Sequence, residues 1–89
     1  MLLMTTTPTL EGRPVKTYLG IVSGEVLAHV EVFDGNIEKY IYEARLEAMV
    51  QMSARAQKLG ASAILGVTFD LEALHSKRMI VATGTAVVL

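Results

Sequence analysis

The longest regular pattern in the chain runs from Glu38 to Leu59, where apolar and polar residues recur at helical spacing. No proline or glycine interrupts this segment, and strong helix formers dominate it. The apolar positions fall on one stripe: Tyr42, Leu46, Met49, Met52 or Ser53, Ala56 and Leu59. The opposite side is polar: Glu43, Glu47, Gln51, Arg55 and Lys58. The pattern predicts one long helix, with Asn36 as its N-cap and Gly60 as its left-handed stop.

After the predicted helix, apolar residues recur at every second position. Ala63, Leu65, Val67, Phe69 and Leu71 alternate with smaller or more polar residues, which predicts a strand. The segment 79–89 is apolar on both of its faces, and this is typical of a strand that is buried on both sides. The polar segment 71–77 between the two strands is predicted to be a connection.

The first part of the chain predicts further strands. Residues 2–6 form a short β-prone stretch that belongs at a sheet edge, because Pro8 soon removes a backbone donor. Residues 11–14 are predicted to turn. Residues 15–26 alternate as a strand, with Thr17, Leu19, Ile21 and Ser23 on one side and Tyr18, Gly20, Val22 and Val26 on the other. A second short strand is predicted over 27–33, after a bend at Gly24.

These elements predict a small α+β domain in which one long helix packs on an antiparallel sheet. A single helix covers only one face of a sheet, so a neighbouring subunit is a candidate cover for the other face. Gly20, Gly66 and Gly84 each lie in the middle of a predicted strand. We expect some of them to let the alanines of the helix (Ala44, Ala48 and Ala56) approach the sheet closely; independent β-bulges are the alternative explanation.

Composition favours self-assembly. Counted with glycine and without tyrosine, apolar residues make up about 56% of the 89 residues, against about 45–50% in a typical globular domain. A single domain of this length has a thin core, because it buries only about 60–65% of its unfolded surface. We therefore expect a homo-oligomer, since a small monomer would leave a large apolar patch exposed.

Charge and residue content exclude several classes of protein. The net charge of −1 argues against a nucleic-acid partner, which selects a basic surface. No apolar run is long enough to span a membrane, and the first ten residues lack the charged start of a signal peptide, so the cytoplasm is the expected location. The chain has no cysteine, which excludes disulfides, thiolate metal sites and cysteine nucleophiles.

Three segments carry a resemblance to a known family: TTTPTLEGRPVKTYLGIVSGE (5–25), RAQKLGASAILGVTFD (55–70) and MIVATGTAVV (79–88). Together they resemble the YbjQ family, small proteins described as heavy-metal-binding domains, over one domain that spans residues 1–89. The matching positions are Thr6, Pro8, Leu10, Glu11, Gly12, Tyr18, Gly20, Val22, Gly24, Glu25, Ala56, Leu59, Gly60, Ala61, Ala63, Gly66, Asp70, Gly84, Thr85 and Ala86.

The resemblance implies a dodecin-like, two-layer β-α-β-β core and a ring-shaped homo-oligomer, commonly a pentamer. It gives a fold and no reaction, because the family has no established activity. The chain departs from the family in having only a short segment, 33–36, before the helix, where relatives carry a longer one. Some relatives also have a cysteine in the first long strand, where this chain has Tyr18, Leu19 and Gly20.

Two groups of polar residues are candidate metal ligands. His29 and Glu31 share one face if they lie on a strand, with Asp34 close by in the sequence. His75 lies near Asp70 and Glu72. Polar residues gather at turns, so a solvated turn is the favoured explanation of each group. One ligand from each subunit of a ring could also complete a site. No cofactor other than a metal ion is expected, since the chain lacks a P-loop and the G-x-G-x-x-G pattern.

No catalytic motif is present. The chain offers Ser23, Ser53, Ser62 and Ser76 but only two histidines, in no recognised nucleophile pattern. Glu25, predicted to follow a strand, is the acid to test first, although a turn or an inter-subunit hydrogen bond is the favoured explanation for it. We predict a homo-oligomeric, non-enzymatic module with a small ligand between subunits. A metal-binding protein that uses His29, Glu31 and His75 is the alternative.

Overall fold

The computed structural model describes residues 1–29, 37–74 and 77–89. They form the elements β1 (Leu3–Met4), β2 (Thr17–His29), α1 (Ile37–Lys58), β3 (Ala63–Leu74) and β4 (Lys77–Val88). The strands make one sheet in the order β1-β3-β4-β2, in which β1 runs parallel to β3 and the other pairs are antiparallel. The predicted α+β fold with a β-α-β-β core is confirmed, and the added parallel β1 makes the sheet mixed. Among the described residues, no helix is both long and apolar enough to cross a membrane.

The helix begins and ends within one residue of the predicted limits. Gly60 has a φ of 87°, and the Ala61 N–H donates to the Ala56 carbonyl at 3.1 Å while the Gly60 N–H donates to the Gln57 carbonyl at 3.0 Å. These two bonds form a Schellman motif, which satisfies carbonyls that the last helical turn leaves free. The predicted N-cap, Asn36, lies outside the described residues.

The predicted buried stripe of the helix is wrong at three of its six positions, while Met52 with Ser53 and Ala56 are buried as predicted and Met49 is half-buried. The side chains that face the sheet are small apart from one methionine: Ala44, Ala48, Met52, Ser53 and Ala56. Tyr42 is 63% exposed, and Leu46 and Leu59 are also exposed. The helix therefore turns its alanines to the sheet and leaves several larger apolar side chains outside.

Gly24 explains why small residues face the sheet. A Cβ atom at this position would collide with the carbonyl group of Ala48 and lie 3.1 Å from the Met52 nitrogen. The helix backbone thus rests directly on β2, and this close approach favours small residues such as Ala44 and Ala48 on the helix side that faces the sheet. The close approach that we expected at Gly20, Gly66 or Gly84 occurs instead at Gly24.

Two of the predicted glycines mark β-bulges. The pairing of β2 with β4 shifts register between Tyr18 and Gly20, and that of β3 with β4 between Leu65 and Thr68. Gly20 and Gly66 have φ values of 127° and 62°, which other residues adopt only with strain. The first bulge corrects the predicted faces of β2, because it places Leu19 with Val22 in the core under the helix. Tyr18 and Ile21 belong to the other face, opposite Val87 and Thr85.

The strands are longer than the sequence predicts. β2 continues through Gly24 to His29 without the predicted bend, so the expected separate strand over 27–33 is wrong for its described part. β3 extends to Leu74 and β4 begins at Lys77, so most of the predicted connection 71–77 is strand. The two ends pair directly, Leu74 with Lys77.

Each face of the sheet carries its own core. On the helix face, α1 packs mainly over β2 and β4 and only marginally over β3. That core is formed by Val22, Ala48, Met52, Ala56, Ile64, Val67, Ala82 and Ala86. On the opposite side, which we call the second face, Ala63, Leu65 and Val87 are buried beneath Leu10 and Val15. The predicted cover of β4 by a neighbouring subunit is therefore not needed at this end, where the chain covers itself.

Candidate functional site

A polar cluster lies at the outer edge of β2, and we call it the edge cluster: Ser23, Glu25, Gln51 and Arg55. Gln51 and Arg55 are one helical turn apart on α1, so they extend side by side toward the strand. Ser23 and Glu25 are two residues apart on β2, so their side chains share a face. Glu25 thus lies inside a strand and not after one, which corrects the prediction.

The four residues bond both to one another and to the strand backbone. Nη1 of Arg55 donates to Oε2 of Glu25 at 2.8 Å and to the Ser23 carbonyl at 2.7 Å. The Ser23 hydroxyl donates to Oε1 of Glu25 at 2.7 Å, and the Glu25 N–H donates to Oε1 of Gln51 at 3.0 Å. Gln51 and Arg55 of the helix thus form hydrogen bonds with the Glu25 N–H and the Ser23 carbonyl of this edge strand. Without them, these backbone groups would be free to pair with another strand.

The chemistry of the edge cluster does not suit a general base. Hydrogen bonds from Arg55 and from the Ser23 hydroxyl hold the pKa of the Glu25 carboxyl below its ordinary value. A carboxylate with a lowered pKa is a weak base at neutral pH, and the pair is open to solvent on one side. Glu25 therefore forms an ion pair with Arg55 that links β2 to α1, which is a structural role. The sequence signal that pointed to Glu25 was its match to a family position.

The serines in the described residues have structural partners. The Ser53 hydroxyl is buried and accepts a hydrogen bond from the Leu2 N–H at 3.0 Å, which holds the start of the chain beside the helix. The Ser62 hydroxyl accepts one from the Leu89 N–H at 2.9 Å. Ser76 lies outside the described residues. Among the described residues, neither Ser53 nor Ser62 has a hydrogen bond to a histidine or an acidic side chain that would activate its hydroxyl as a nucleophile.

The predicted metal ligands are only partly described. His29 is the last residue of β2 and pairs with Lys77, which in turn pairs with Leu74. The pairing thus brings the backbone of His29 to the end of the sheet where Leu74 and Lys77, the neighbours of the segment 75–76, also meet. Glu31, Asp34 and His75 lie outside the described residues. Within the described ranges, no three histidine or acidic residues are grouped as metal ligands.

An apolar groove, which we call the flank groove, runs between α1 and the β1 side of the sheet. It holds about 120 Å³ and is lined by Met4, Thr5, Thr6, Met49, Val67 and Phe69. It forms because α1 lies over β2 and β4 and leaves β3 only partly covered. Next to it, Met1, Val50, Ser53, Ala54 and Gln57 line a second hollow of about 230 Å³. Neither hollow was predicted, because both depend on where the helix lies across the sheet.

A second apolar surface lies on the opposite edge of the molecule. Tyr18, Ile21 and Leu27 are 70%, 83% and 54% exposed along β2, on the second face, and we call this row the β2 ridge. Ser23 and Glu25 lie between Ile21 and Leu27 on the same face, so Tyr18 and Ile21 form its continuous apolar part. The sequence predicted surplus apolar surface but not its position. The bulge at Leu19 makes the difference, since it moves Ile21 to the opposite face from Leu19 and Val22.

Comparison with known proteins gives consistent results. Residues 2–89 match the family model YbjQ_1, whose description is "Putative heavy-metal-binding". A UPF0145 protein of Haemophilus ducreyi is 36% identical over 104 aligned positions, which cover 99% of both chains. One from Geobacillus kaustophilus is 38% identical and covers 97% of this chain and 96% of the relative. Because 104 positions exceed the 89 residues present here, the alignment places gaps in this chain, in agreement with a shortened segment.

A solved structure has the same fold. A protein of unknown function from Pediococcus pentosaceus, of the DUF74 family, superimposes with a TM-score of 0.76 at 18% sequence identity. The match covers 99% of this chain and 97% of that one. The full-length family match, and relatives well above 30% identity, agree with the motifs at both ends of the chain. The chain belongs to the YbjQ family, whose members are also named UPF0145 proteins.

Proposed function

We propose that the protein is a ring-shaped homo-oligomer without catalytic activity, with five subunits as the expected number, that holds a small ligand where subunits meet. The observation that carries this proposal is the presence of two separate apolar surfaces, the flank groove and the β2 ridge, on one small chain. Apolar surface that a small chain does not cover with its own residues favours association. The family's lack of any enzymatic name agrees with a non-enzymatic role.

The shape of the subunit also supports assembly. Its radius of gyration is 14.4 Å, whereas a compact chain of this length has about 12 Å. Its accessible surface is 5696 Å², against about 5,100 Å² for a monomeric protein of this mass. An elongated subunit with apolar edges exposes more surface than a stable monomer of this size.

Native mass spectrometry of the untreated protein tests the proposal. We expect a single oligomer, with a mass surplus where a ligand or metal ion is retained. Sedimentation at micromolar concentration provides the second measurement. A single 9.6 kDa species in both experiments would contradict the proposal.

The alternative is a metal-binding protein that uses His29, Glu31 and His75. Its support is the strand pairing that brings His29 to the same end of the sheet as Leu74 and Lys77. In a ring, one such ligand group from each subunit could complete a site.

Metal analysis after dialysis tests this alternative. A stoichiometric metal ion should remain in the wild-type protein and be lost in both His29→Gln and His75→Gln. Glu47→Gln, at an exposed position on α1 outside both candidate groups, is the control that should retain it. Protein that holds no metal and shows no thermal shift with zinc, copper or nickel would rule out the alternative.

A further inference from the structure

We propose that the β2 ridge of one copy inserts into the flank groove of the next copy, with Ile21 as the central contact. This inference rests on the proposed self-assembly and specifies which surfaces meet. The groove is concave and apolar, and the ridge presents an isoleucine that is 83% exposed. If the ridge of one copy were buried in the groove of the next, both apolar surfaces would be removed from water by a single contact.

The sheet order keeps the two surfaces apart within one chain. β1 and β3 form one side of the sheet and β2 forms the opposite edge. The groove opens on the helix side of the sheet, whereas the ridge lies on the second face. A chain cannot fold its own ridge into its own groove, so a second copy must supply the partner surface. A contact between two unlike surfaces repeats from copy to copy and closes into a ring when the rotation permits.

Charge favours ridge-to-groove contact over ridge-to-ridge contact. Glu25 and Asp70 both lie opposite Val81, so the second face carries a row with two carboxylates. The Glu25 carboxylate is already paired with Arg55, so Asp70 is the carboxylate of this row that a second copy can pair with. Contact between two second faces would bring Asp70 toward a like charge, whereas contact with the groove would bring it toward a cation. The groove instead has Arg45 at its rim, with its guanidinium 5.7 Å from the centre of the Phe69 ring. Across the described part of the chain, neither Arg45 nor Asp70 has an ion-pair partner.

The edge cluster also disfavours direct pairing of two β2 strands. The Ser23 carbonyl and the Glu25 N–H already bond to Arg55 and Gln51. A strand added at this edge would have to break both bonds. The contact must therefore be made by side chains, and Ile21 is the most exposed large apolar side chain in the described residues.

Disulfide trapping tests the inference cleanly, because the chain has no cysteine of its own. Ile21→Cys places a thiol on the ridge, and Thr6→Cys places one on the exposed wall of the groove. After the two variants are mixed, reassociated and oxidised, we expect a cross-linked pair on a non-reducing gel that neither variant gives alone. The double variant should give a ladder that stops at the subunit number of the ring.

Controls separate this inference from the proposed self-assembly. Leu59→Cys, also exposed but outside both surfaces, should not cross-link to Ile21→Cys. Links within Ile21→Cys alone, or no links while light scattering still finds an oligomer, would overturn the ridge-to-groove contact and leave self-assembly intact. A wild-type protein that is monomeric in light scattering would overturn both.

Two further variants test the contact without a covalent bond. Ile21→Glu should shift the light-scattering mass to the 9.6 kDa of one chain, whereas Leu59→Glu should leave the oligomer intact. Thr6→Trp should fill the groove and cause the same loss, whereas Thr9→Trp, an exposed neighbour outside the groove, should not. Circular dichroism of each variant establishes that the fold is retained. Folded Ile21→Glu that remains fully oligomeric would contradict the inference.

Discussion

The two faces of the sheet are closed in different ways. On the helix face, the backbone of α1 rests on Gly24, and Ala48, Met52 and Ala56 are completely buried. On the second face, Leu10 and Val15 cover one end, while Ile21 and Leu27 stay exposed along β2. The first core is completed by the chain itself and the second only in part. The apolar excess of the composition therefore lies on surfaces, where it is available for contact with other copies.

Gly24→Ala should have the largest effect on stability, because it removes the feature that closes the helix face. The new Cβ collides with the Ala48 carbonyl, and backbone cannot move aside as a flexible side chain can. We expect a loss of about 4 kcal/mol or more in the free energy of unfolding, measured in urea. Gly84→Ala is the comparison, since its new Cβ would lie 2.6 Å from Cγ2 of the buried Ile64 but 3.2 Å from the nearest backbone atom, the Leu65 carbonyl oxygen, so we expect a smaller loss than at Gly24. Equal losses for the two variants would contradict the close packing at Gly24.

Leu65→Ala tests the covered end of the second face. Leu65 is 2% exposed, so its truncation leaves a cavity and should cost about 2–4 kcal/mol in the free energy of unfolding. Leu27→Ala makes the same change on the open part of that face and should cost less than about 1 kcal/mol in a monomeric Ile21→Glu background. Similar losses in that background would show that both ends of the second face are covered within the chain.

Ser53→Ala tests how the start of the chain is held. The Ser53 hydroxyl is the side-chain acceptor of the Leu2 N–H, and its loss should cost about 1–2 kcal/mol in the free energy of unfolding. Hydrogen exchange at Leu2 and Thr5 should become faster while exchange in β4 does not change. Ser62→Ala, which removes the acceptor of the Leu89 N–H, is the control. Unchanged exchange at Leu2 in Ser53→Ala would contradict the role of this bond.

The smallest expected effect is that of the edge cluster on the pH dependence of stability. The folded-state pKa of Glu25 is lowered, so its stabilising contribution is present above the unfolded-state pKa and is lost as the pH falls through the folded-state value. The contribution is small, because water screens an exposed ion pair. NMR titration should show the pKa of Glu25 rising toward its ordinary value in Arg55→Ala. An unchanged pKa in that variant would exclude Arg55 as the cause.

Sequence patterns predicted the elements better than their faces. Helix propensity and Gly60 located both ends of α1, because these signals are local. The buried side of the helix was mispredicted, since Leu46 and Tyr42 are more apolar than Ala44 and Ala48 but too large for the contact at Gly24. Close to Gly24, the volume of a helix side chain determines whether it faces the sheet more than its hydrophobicity does.

The remaining errors also have physical causes. The end of β3 resembles a loop because Leu71, Glu72 and Ala73 are all exposed, so no alternation of buried and exposed residues marks this part of the strand. The bulge at Leu19 exchanges the faces on which the following residues of β2 lie. The glycine that follows, Gly20, is the one sequence signal of this bulge. The flank groove and the edge cluster depend on distant parts of the chain and leave no periodic signal.

The pairing of β1 with β3 has a consequence for the order of folding. Leu3 pairs with Ala63, so β1 cannot dock until the helix and the following strand are in place. Met4, Thr5 and Thr6 form one wall of the flank groove, so that wall cannot be in place before β3 is available to pair with β1. A newly made chain would stay unable to accept a neighbour until its own folding is complete, which protects half-finished copies from joining a ring.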